Sequence, residues 1–273
     1  MSSNTAIALS DQEFARFRQL IHEIAGISLS DAKKPLVAGR LSKRLREFEL
    51  SSYGEYFRRL SQSPAELQTC VDLLTTNETY FFREPKHFDF LREHLEKPGL
   101  IPSGRPLRIW SGACSSGEEP YSIALLLADV LVDKPWEILA SDISQRVLDR
   151  ARAGVYRVQD SEDIPRRMLV RHCFRGVGAN EGNLLIDPAL RRRVRFEQIN
   201  LNNPLPEVGQ FDVIFLRNVM IYFDGDTKRQ VVKRLLSRLR PGGYFLISHS
   251  ESLNGIDDTL KVVKPSIYRK PDA

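Results

Sequence analysis

The run LRIWSGACSSGEEPYS at residues 107–122 constrains the fold of this chain more than any other stretch. A short apolar segment breaks into small residues and resumes as an amphipathic helix, which makes a strand, a ligand-sized loop and a helix in that order. Gly112 and Gly117 let the backbone approach a neighbour closely, because glycine carries no side chain and tolerates positive φ. A nucleotide-like cofactor held in this loop is the first expectation.

Three cofactor classes compete for it. The spacing of Gly112 and Gly117 is that of a phosphate-cradling P-loop, which should continue with Lys and then Ser or Thr. Here the next residues are Glu118 and Glu119. Two carboxylates at a helix N-terminus repel a triphosphate where the amides would otherwise attract it. A dinucleotide fingerprint fails for want of a middle glycine between Ala113 and Ser116. What remains is a cofactor without phosphates and with a positive centre, a class that includes S-adenosylmethionine. The competing reading is an ordinary strand-to-helix turn with a solvated Glu-Glu first turn favoured by the helix dipole.

The rest of the second half repeats the alternation. Residues 122–132 are expected to be helical and residues 136–143 to form a second strand with Asp142 at its end. An acid there is where nucleoside-binding α/β folds place a ribose. Asp142 suits equally the cap of a helix starting at Ser144. Residues 157–190 interrupt the pattern as a small appendage, with two short strands around a Gly/Asn turn at residues 173–186. The α/β pattern then returns at 194–201, with a buried strand at 211–219, a helix at 224–239, a turn and strand at 241–249, and a last strand at 262–269. This alternation implies a parallel sheet with ligands at the carboxyl ends of its strands. Those ends carry Gly112, Asp142, Asn200, Leu201, Arg217 and Asn218.

The first half is different. Ser10 and Glu13 form a capping box before Phe14, Phe17, Leu20, Ile21 and Ile24, and Gly26 stops that helix. A second helix starts at Ser30 and Asp31 with Pro35 in its first turns, and two more follow at 53–60 and 64–74. From residue 28 to 60 there are eight basic and four acidic residues, so much of the net charge of +5 sits there. Lys33, Arg40, Lys43, Arg44 and Arg46 make a solvated face or a docking surface for an acidic partner. The segment TTNETYFFRE at 75–84 mixes Asn77, Thr79 and Arg83 with aromatics, as a loop closing over a ligand or a hinge packed by its phenylalanines would. A helix near 87–95 and the Pro- and Gly-rich residues 97–106 then divide the chain into a helical domain (1–96), a linker (97–106) and a second domain (107–273).

Charge and cysteines exclude several classes. A pI of about 9.1 favours an anionic partner, but the excess is modest for a nucleic-acid binder. Cys70, Cys114 and Cys173 have no metal-ligand spacing and form no disulfide framework, so free thiols and no metal are expected. No apolar run is long enough to cross a bilayer, and the first ten residues lack a secretory pattern, so a cytoplasmic protein is expected.

Five segments in order carry a resemblance: TTNETYFFRE at 75–84, GEEPYS at 117–122, Asn200-Leu201, RNVMIYFD at 217–224, and His249-Ser-Glu251. Together they resemble the chemotaxis receptor protein-glutamate methyltransferases, the CheR family, over nearly the whole chain. The resemblance implies a Rossmann-like class I methyltransferase domain in an α/β fold, an N-terminal all-α domain and a small inserted antiparallel β-subdomain. It implies that Asn77, Thr79, Arg83, Glu118, Asp142, Asn200, Leu201, Arg217 and Asn218 bind S-adenosylmethionine, with S-adenosylhomocysteine as product. It also implies that Arg83 and Tyr222 take part in methyl transfer to receptor glutamates. The expected partner is the cytoplasmic helical bundle of membrane chemoreceptors, met by Lys33, Arg40, Lys43, Arg44 and Arg46. A receptor C-terminal tail on the inserted hairpin is a further expected contact. The protein is expected to act as a monomer recruited to receptor arrays, without nucleic acid or membrane insertion.

Two other readings stay open on the residues alone. A nucleic-acid base methyltransferase suits the pI, but an exocyclic-amine acceptor motif needs prolines that Asn218-Val-Met-Ile lacks. A non-catalytic adaptor that docks on receptors or senses S-adenosylmethionine is separated from an enzyme by a methyl-transfer assay.

Overall fold

The computed structural model describes residues 7–97 and 100–272. It divides into two compact units, residues 1–76 with 222–227, and residues 77–221 with 228–273. Pro98 and Gly99 of the expected linker lie outside the described residues.

The first unit is helical. Its α1 (Asp11–Ala25) opens with the capping box: the Ser10 hydroxyl accepts from Glu13 N, and the Glu13 carboxylate accepts from Ser10 N at 2.9 Å. Gly26, at φ 70°, ends it. A 3-10 turn (Asp31–Lys33) precedes α2 (Lys34–Glu47), with Pro35 in the first turn where its missing N–H costs little. Next come α3 (Tyr53–Leu60) and α4 (Pro64–Leu74), each capped by a serine hydroxyl. Phe14, Phe17 and Ile21 of α1, Val37, Leu41 and Leu45 of α2, and Tyr53 and Tyr56 of α3 are buried. Each large apolar side chain so buried contributes on the order of 1.5–3 kcal/mol. Residues 222–227 join this unit through a bridge between Ile27 and Phe223, a 2.8 Å bond from Ser28 N to Tyr222 O, and a 2.7 Å pair between His22 and Asp224.

The second unit opens with α5 (Lys86–Leu95), β1 (Leu107–Ser111), α6 (Glu118–Val130), β2 (Trp136–Asp142) and α7 (Gln145–Ala153). The insert holds β3 (Val155–Arg157), α8 (Arg166–His172), β4 (Cys173–Arg175), β5 (Asn183–Ile186) and α9 (Pro188–Arg191). The unit closes with β6 (Val194–Gln198), β7 (Phe211–Leu216), α10 (Gly225–Ser237, whose first turn belongs to the helical unit), β8 (Leu239–Ile247), β9 (Lys261–Lys264) and β10 (Ile267–Arg269). The main sheet runs β6-β2-β1-β7-β8-β10-β9. Its first five strands are parallel, and β10 is antiparallel to both β8 and β9. Both faces are covered: Val213 and Phe215 of β7 join one core with Ile109 and Ile138, while the alternate residues Ile214 and Leu216 are equally buried. The insert forms a second sheet in the order β3-β5-β4.

Several sequence expectations need correction. The boundary between units falls after residue 76, about twenty residues before the expected linker, because Phe88, Phe90, Leu91 and Leu95 of α5 pack into the core of the sheet with Leu107 and Ile109. The far end of that linker is also tied down, since Arg105 holds Asp212 of β7 at 2.8 Å. Helix α6 starts at Glu118 rather than residue 122, and it is buried along most of its length rather than amphipathic. The last strand is a hairpin of two, and the insert has a third strand, β3, that residues 173–186 did not reveal. The strand expected at 211–219 ends at Leu216, since Asn218 takes φ +57°.

Candidate cofactor site

The site grows from the turn between β1 and α6. Gly117 sits at φ +99°, and a Cβ there would lie 2.7 Å from the Tyr156 hydroxyl and 2.9 Å from the Ala151 Cβ. A Cβ on Gly112 would lie 3.2 Å from the Phe215 carbonyl oxygen, to which Gly112 N donates at 2.8 Å. Both glycines therefore serve close approach, but the neighbour is the protein itself. The turn is pinned from three sides. Asp142 accepts from Ser115 N through one carboxylate oxygen and from Ser144 N through the other, each at 2.9 Å. The Ser115 hydroxyl donates to the Asn77 carbonyl at 2.8 Å, and the Tyr156 hydroxyl to the Ser116 carbonyl at 2.7 Å. Asp142 thus ties the β1–α6 loop to the residue that precedes α7, whose N-cap is Ser144 rather than Asp142. Ile199 N donates to the Asp142 carbonyl at 3.1 Å, which brings Asn200 and Leu201 to the same end of the sheet.

A second cluster forms around Arg217, which follows β7 and has a side chain only 1% exposed. It donates to Glu119 at 2.8 Å, to the Arg83 carbonyl, and lies 3.3 Å from Glu84. Glu119 also accepts from the Ser111 hydroxyl at 2.7 Å, and Glu84 accepts from His249 N at 3.2 Å and from the Asn218 side chain at 3.5 Å. Glu251 fastens the loop after β7 by accepting from Asn218 N at 3.2 Å, Ile221 N at 3.3 Å and Ser248 N at 2.9 Å. Phe82, Glu84, Ser115 and Asn218, all non-glycine residues, have φ between +48° and +58°. Backbone in this region costs energy that the surrounding contacts must offset, and it gathers where side chains are aimed at a ligand.

The electrostatics separate the acids. Glu119 and Glu84 are matched by Arg217. Glu118 is more deeply buried, its hydrogen-bond partner is the Ser116 hydroxyl, at 2.7 and 3.0 Å, and burial raises its pKa above the ordinary glutamate range. Burial, then Arg217 and His249, push His87 down to about 3, so it is neutral at physiological pH. The donor set fits a phosphate-free cation. Carboxylates and carbonyls line the turn, and Arg217 beside it is matched by Glu119 and Glu84.

Of the residues named from the sequence, Gly112, Glu118, Asp142, Asn200, Leu201, Arg217 and Asn218 lie at or just beyond the carboxyl ends of β1, β2, β6 and β7, and Asn77 and Arg83 stand on the 77–84 loop of the same unit. Thr79 lies half-buried on the same 77–84 loop, whose Arg83 guanidinium donates to the Glu78 carbonyl at 2.9 Å. Tyr222 falls in the segment that packs with the helical unit. Sequence reading gave no site role to Glu84, Glu119, Ser115 and Glu251, although all four stood inside the quoted segments.

The five basic residues of the helical unit separate into two groups. Lys33, Lys43 and Arg46 are exposed. Arg40 donates to the carbonyls of Leu74 and Thr75 at 2.8 and 3.1 Å, and Arg44 binds Glu66 at 2.8 Å and Glu47. The reading of Arg40 and Arg44 as part of a solvated face or docking surface is therefore corrected, because both hold α2 against α4 and its C-terminal end. In the insert, β4 is an edge strand with Phe174 54% exposed.

Residues 77–269 match the family described as CheR methyltransferase, SAM binding domain, and residues 12–75 match CheR methyltransferase, all-alpha domain. The chain is 43% identical to chemotaxis protein methyltransferase 2 of Pseudomonas aeruginosa, covering 94% of this chain and 92% of the relative. It is 42% identical to the chemotaxis protein methyltransferase of Salmonella typhimurium, covering 96% and 91% respectively. The Escherichia coli K12 protein of the same name is 40% identical, with 96% and 92% covered.

Proposed function

The chain belongs to the CheR methyltransferase family and uses S-adenosylmethionine; from that premise we propose that it converts glutamate side chains of chemoreceptors to methyl esters. The observation that carries this reading is the acid-lined, phosphate-hostile turn beside an arginine that fixes the backbone of a second arginine. When bound, the cofactor supplies a methyl carbon on a positive sulfonium. The chain's own work is geometric, since a glutamate with a pKa near 4.3 is already ionised at pH 7 and needs no general base. Aligning its oxygen with the methyl carbon removes much of the barrier.

Arg217 holds the Arg83 carbonyl, so the Arg83 side chain leaves the 77–84 loop from a fixed point. We assign Arg83 to orienting the incoming carboxylate or the carboxylate of the cofactor, and the Tyr222 hydroxyl to the transfer step. Asn77, Thr79, Glu118, Asp142, Asn200, Leu201 and Asn218 are assigned to cofactor binding, with Gly112 and Arg217 shaping the site. Asp142 would accept a hydrogen bond from a ribose hydroxyl of the cofactor. Lys33, Lys43 and Arg46 are the charges left to meet an acidic receptor bundle, and Arg40 and Arg44 keep their helix in place. The edge of β4 is the surface on which an extended receptor tail adds a strand. The protein works as a monomer recruited to receptor arrays.

Incubation of the protein with methyl-labelled cofactor and receptor-containing membranes tests the central reading. Alkali-labile label on receptor is expected. Tight cofactor binding without label would leave an adaptor.

A further inference from the structure

Behind the cofactor site, two histidines 162 positions apart meet over one carboxylate. The rings of His87 and His249 lie 4.7 Å apart between centroids, and both reach the Ser266 hydroxyl, His87 Nε2 at 2.7 Å and His249 Nδ1 at 3.0 Å. That hydroxyl also donates to the Pro265 carbonyl at 2.6 Å. A serine hydroxyl has one proton and two lone pairs. With the proton on Pro265 O, it accepts from both rings, so both histidines carry their hydrogen on the nitrogen facing Ser266. The other nitrogen of each ring is then a bare lone pair. His87 Nδ1, fully buried and without a hydrogen-bond partner among the described residues, lies 3.5 Å from Glu84 Oε2, and His249 Nε2 lies 3.9 Å from the same oxygen. The three atoms fall within 4.8 Å of one another.

We propose that Glu84, His87 and His249 form a binding site for a single divalent transition cation of the Zn²⁺ class. Two imidazoles and one carboxylate are the donors such ions prefer, whereas Mg²⁺ and Ca²⁺ select oxygen. Bonds of 2.0–2.1 Å in a tetrahedron set ligand atoms about 3.3 Å apart, so closure from the observed spacings needs movements on the order of an ångström. Ser266 supplies what imidazole ligands regularly have, a hydrogen bond that fixes the second ring nitrogen. Arg217, 3.3 Å from Glu84, is shared with Glu119, so the three groups together carry one net negative charge that a dication over-neutralises only slightly. Open access comes through His249, whose side chain is 41% exposed. Occupancy draws the Glu84 carboxylate away from Arg217 and slows methyl transfer. That consequence rests on the reading under Proposed function, while binding itself does not.

Untagged full-length protein, stripped with chelator, is titrated with zinc against a chromophoric chelator, and bound metal is counted by elemental analysis. One equivalent is expected, with at least about tenfold weaker binding in His249→Ala and His249→Gln, and about 10- to 100-fold weaker in Ser266→Ala. X-ray absorption should report nitrogen and oxygen ligands without sulfur. No binding at micromolar zinc overturns the site. So does binding that survives both His249 variants, or that is lost in Cys173→Ser, which would place the ion on the half-buried thiol. Circular dichroism of each variant establishes that a loss is not unfolding. A methyl-transfer assay in which zinc binds without inhibiting would remove only the regulatory consequence.

Discussion

Glu66 in the helical unit and Glu118 in the sheet unit are buried to the same degree, 6% and 7% exposed, yet their surroundings are opposite. Glu66 accepts from the Tyr56 hydroxyl at 2.6 Å and from Arg44 Nε at 2.8 Å. Burial alone would raise its pKa, but those hydrogen bonds and the Arg44 charge outweigh burial and hold it below the ordinary glutamate range. Glu118 has the Ser116 hydroxyl and a more distant Arg150, and burial wins. An acid whose desolvation is matched by its own fold is a structural part. An acid left to one hydroxyl at a helix N-terminus, in a loop of left-handed residues, is waiting for donors that a ligand brings.

The comparison breaks first on Glu66. Changing Glu66→Gln leaves Arg44 without its buried counter-charge and should cost about 3 kcal/mol, the low end for a buried pair because Arg44 is still 18% exposed. The sign with pH is fixed: a carboxylate held low contributes stability above its unfolded pKa of about 4.3, and this is lost as pH falls through the folded value. Urea unfolding at pH 7 and pH 4 should show the gap between wild type and variant shrinking at the lower pH. An undiminished midpoint at pH 7 would mean that the pair contributes nothing.

Glu118→Gln should behave in the reverse way. The folded pKa lies above the unfolded one, so the wild type is favoured below about 4.3 and loses that advantage as pH rises through the folded value. At pH 8 the variant should therefore be at least as stable as wild type, while binding S-adenosylmethionine more weakly by about 1.5–3 kcal/mol if a charge-assisted hydrogen bond is lost. Calorimetry and thermal unfolding on the same samples decide it. Lower stability with unchanged affinity would make Glu118 a second Glu66.

The two regions also differed in how much the sequence disclosed. In the helical unit nearly every boundary was legible, because capping serines, Pro35 and Gly26 act within one turn of where they stand in the chain. In the sheet unit the loop, Asp142 and the arginine after β7 were legible as motif positions, but their partners were not. Nothing local says that Arg217 will hold Glu119 and the Arg83 carbonyl, which are 98 and 134 positions away. The same holds for His87 and His249, whose common contact with Ser266 exists only once β8 and β10 have paired. Helix α5 was assigned to the wrong unit because its apolar spacing is that of any packed helix, and spacing does not say what it packs against. Arg40 and Arg44 looked like surface charge for a related reason, since a carbonyl acceptor at the end of α4 leaves no mark in composition.

Tyr222 blurs the comparison, since its backbone carbonyl is bonded to Ser28 in the helical unit while the family resemblance assigns its hydroxyl to chemistry. If the hydroxyl contributes to the transfer step, Tyr222→Phe should leave folding stability and cofactor affinity near wild type and lower the single-turnover rate about tenfold, a loss near 1.4 kcal/mol. A variant that turns over at full speed would return Tyr222 to the helical unit entirely.

The smallest effect on stability is expected where charge has no internal partner. Lys33, Lys43 and Arg46 are exposed on the same basic stretch whose Arg40 and Arg44 are committed inward. Reversing the three exposed residues to Glu should move folding stability by no more than about 0.5 kcal/mol, whereas Arg40→Glu places a carboxylate against the Leu74 and Thr75 carbonyls and should cost more. Function should follow the opposite order of visibility. Opposite charge steers encounter with an acidic bundle over a screening length of about 8 Å at physiological salt, so the triple reversal should lower kcat/KM for receptor at low salt. The deficit should close as salt is added, because wild type loses its steering while the variant has none to lose. Equal receptor methylation by both proteins at low salt would show that these three charges only solvate a helix, and would leave the edge strand β4 as the remaining candidate for receptor contact.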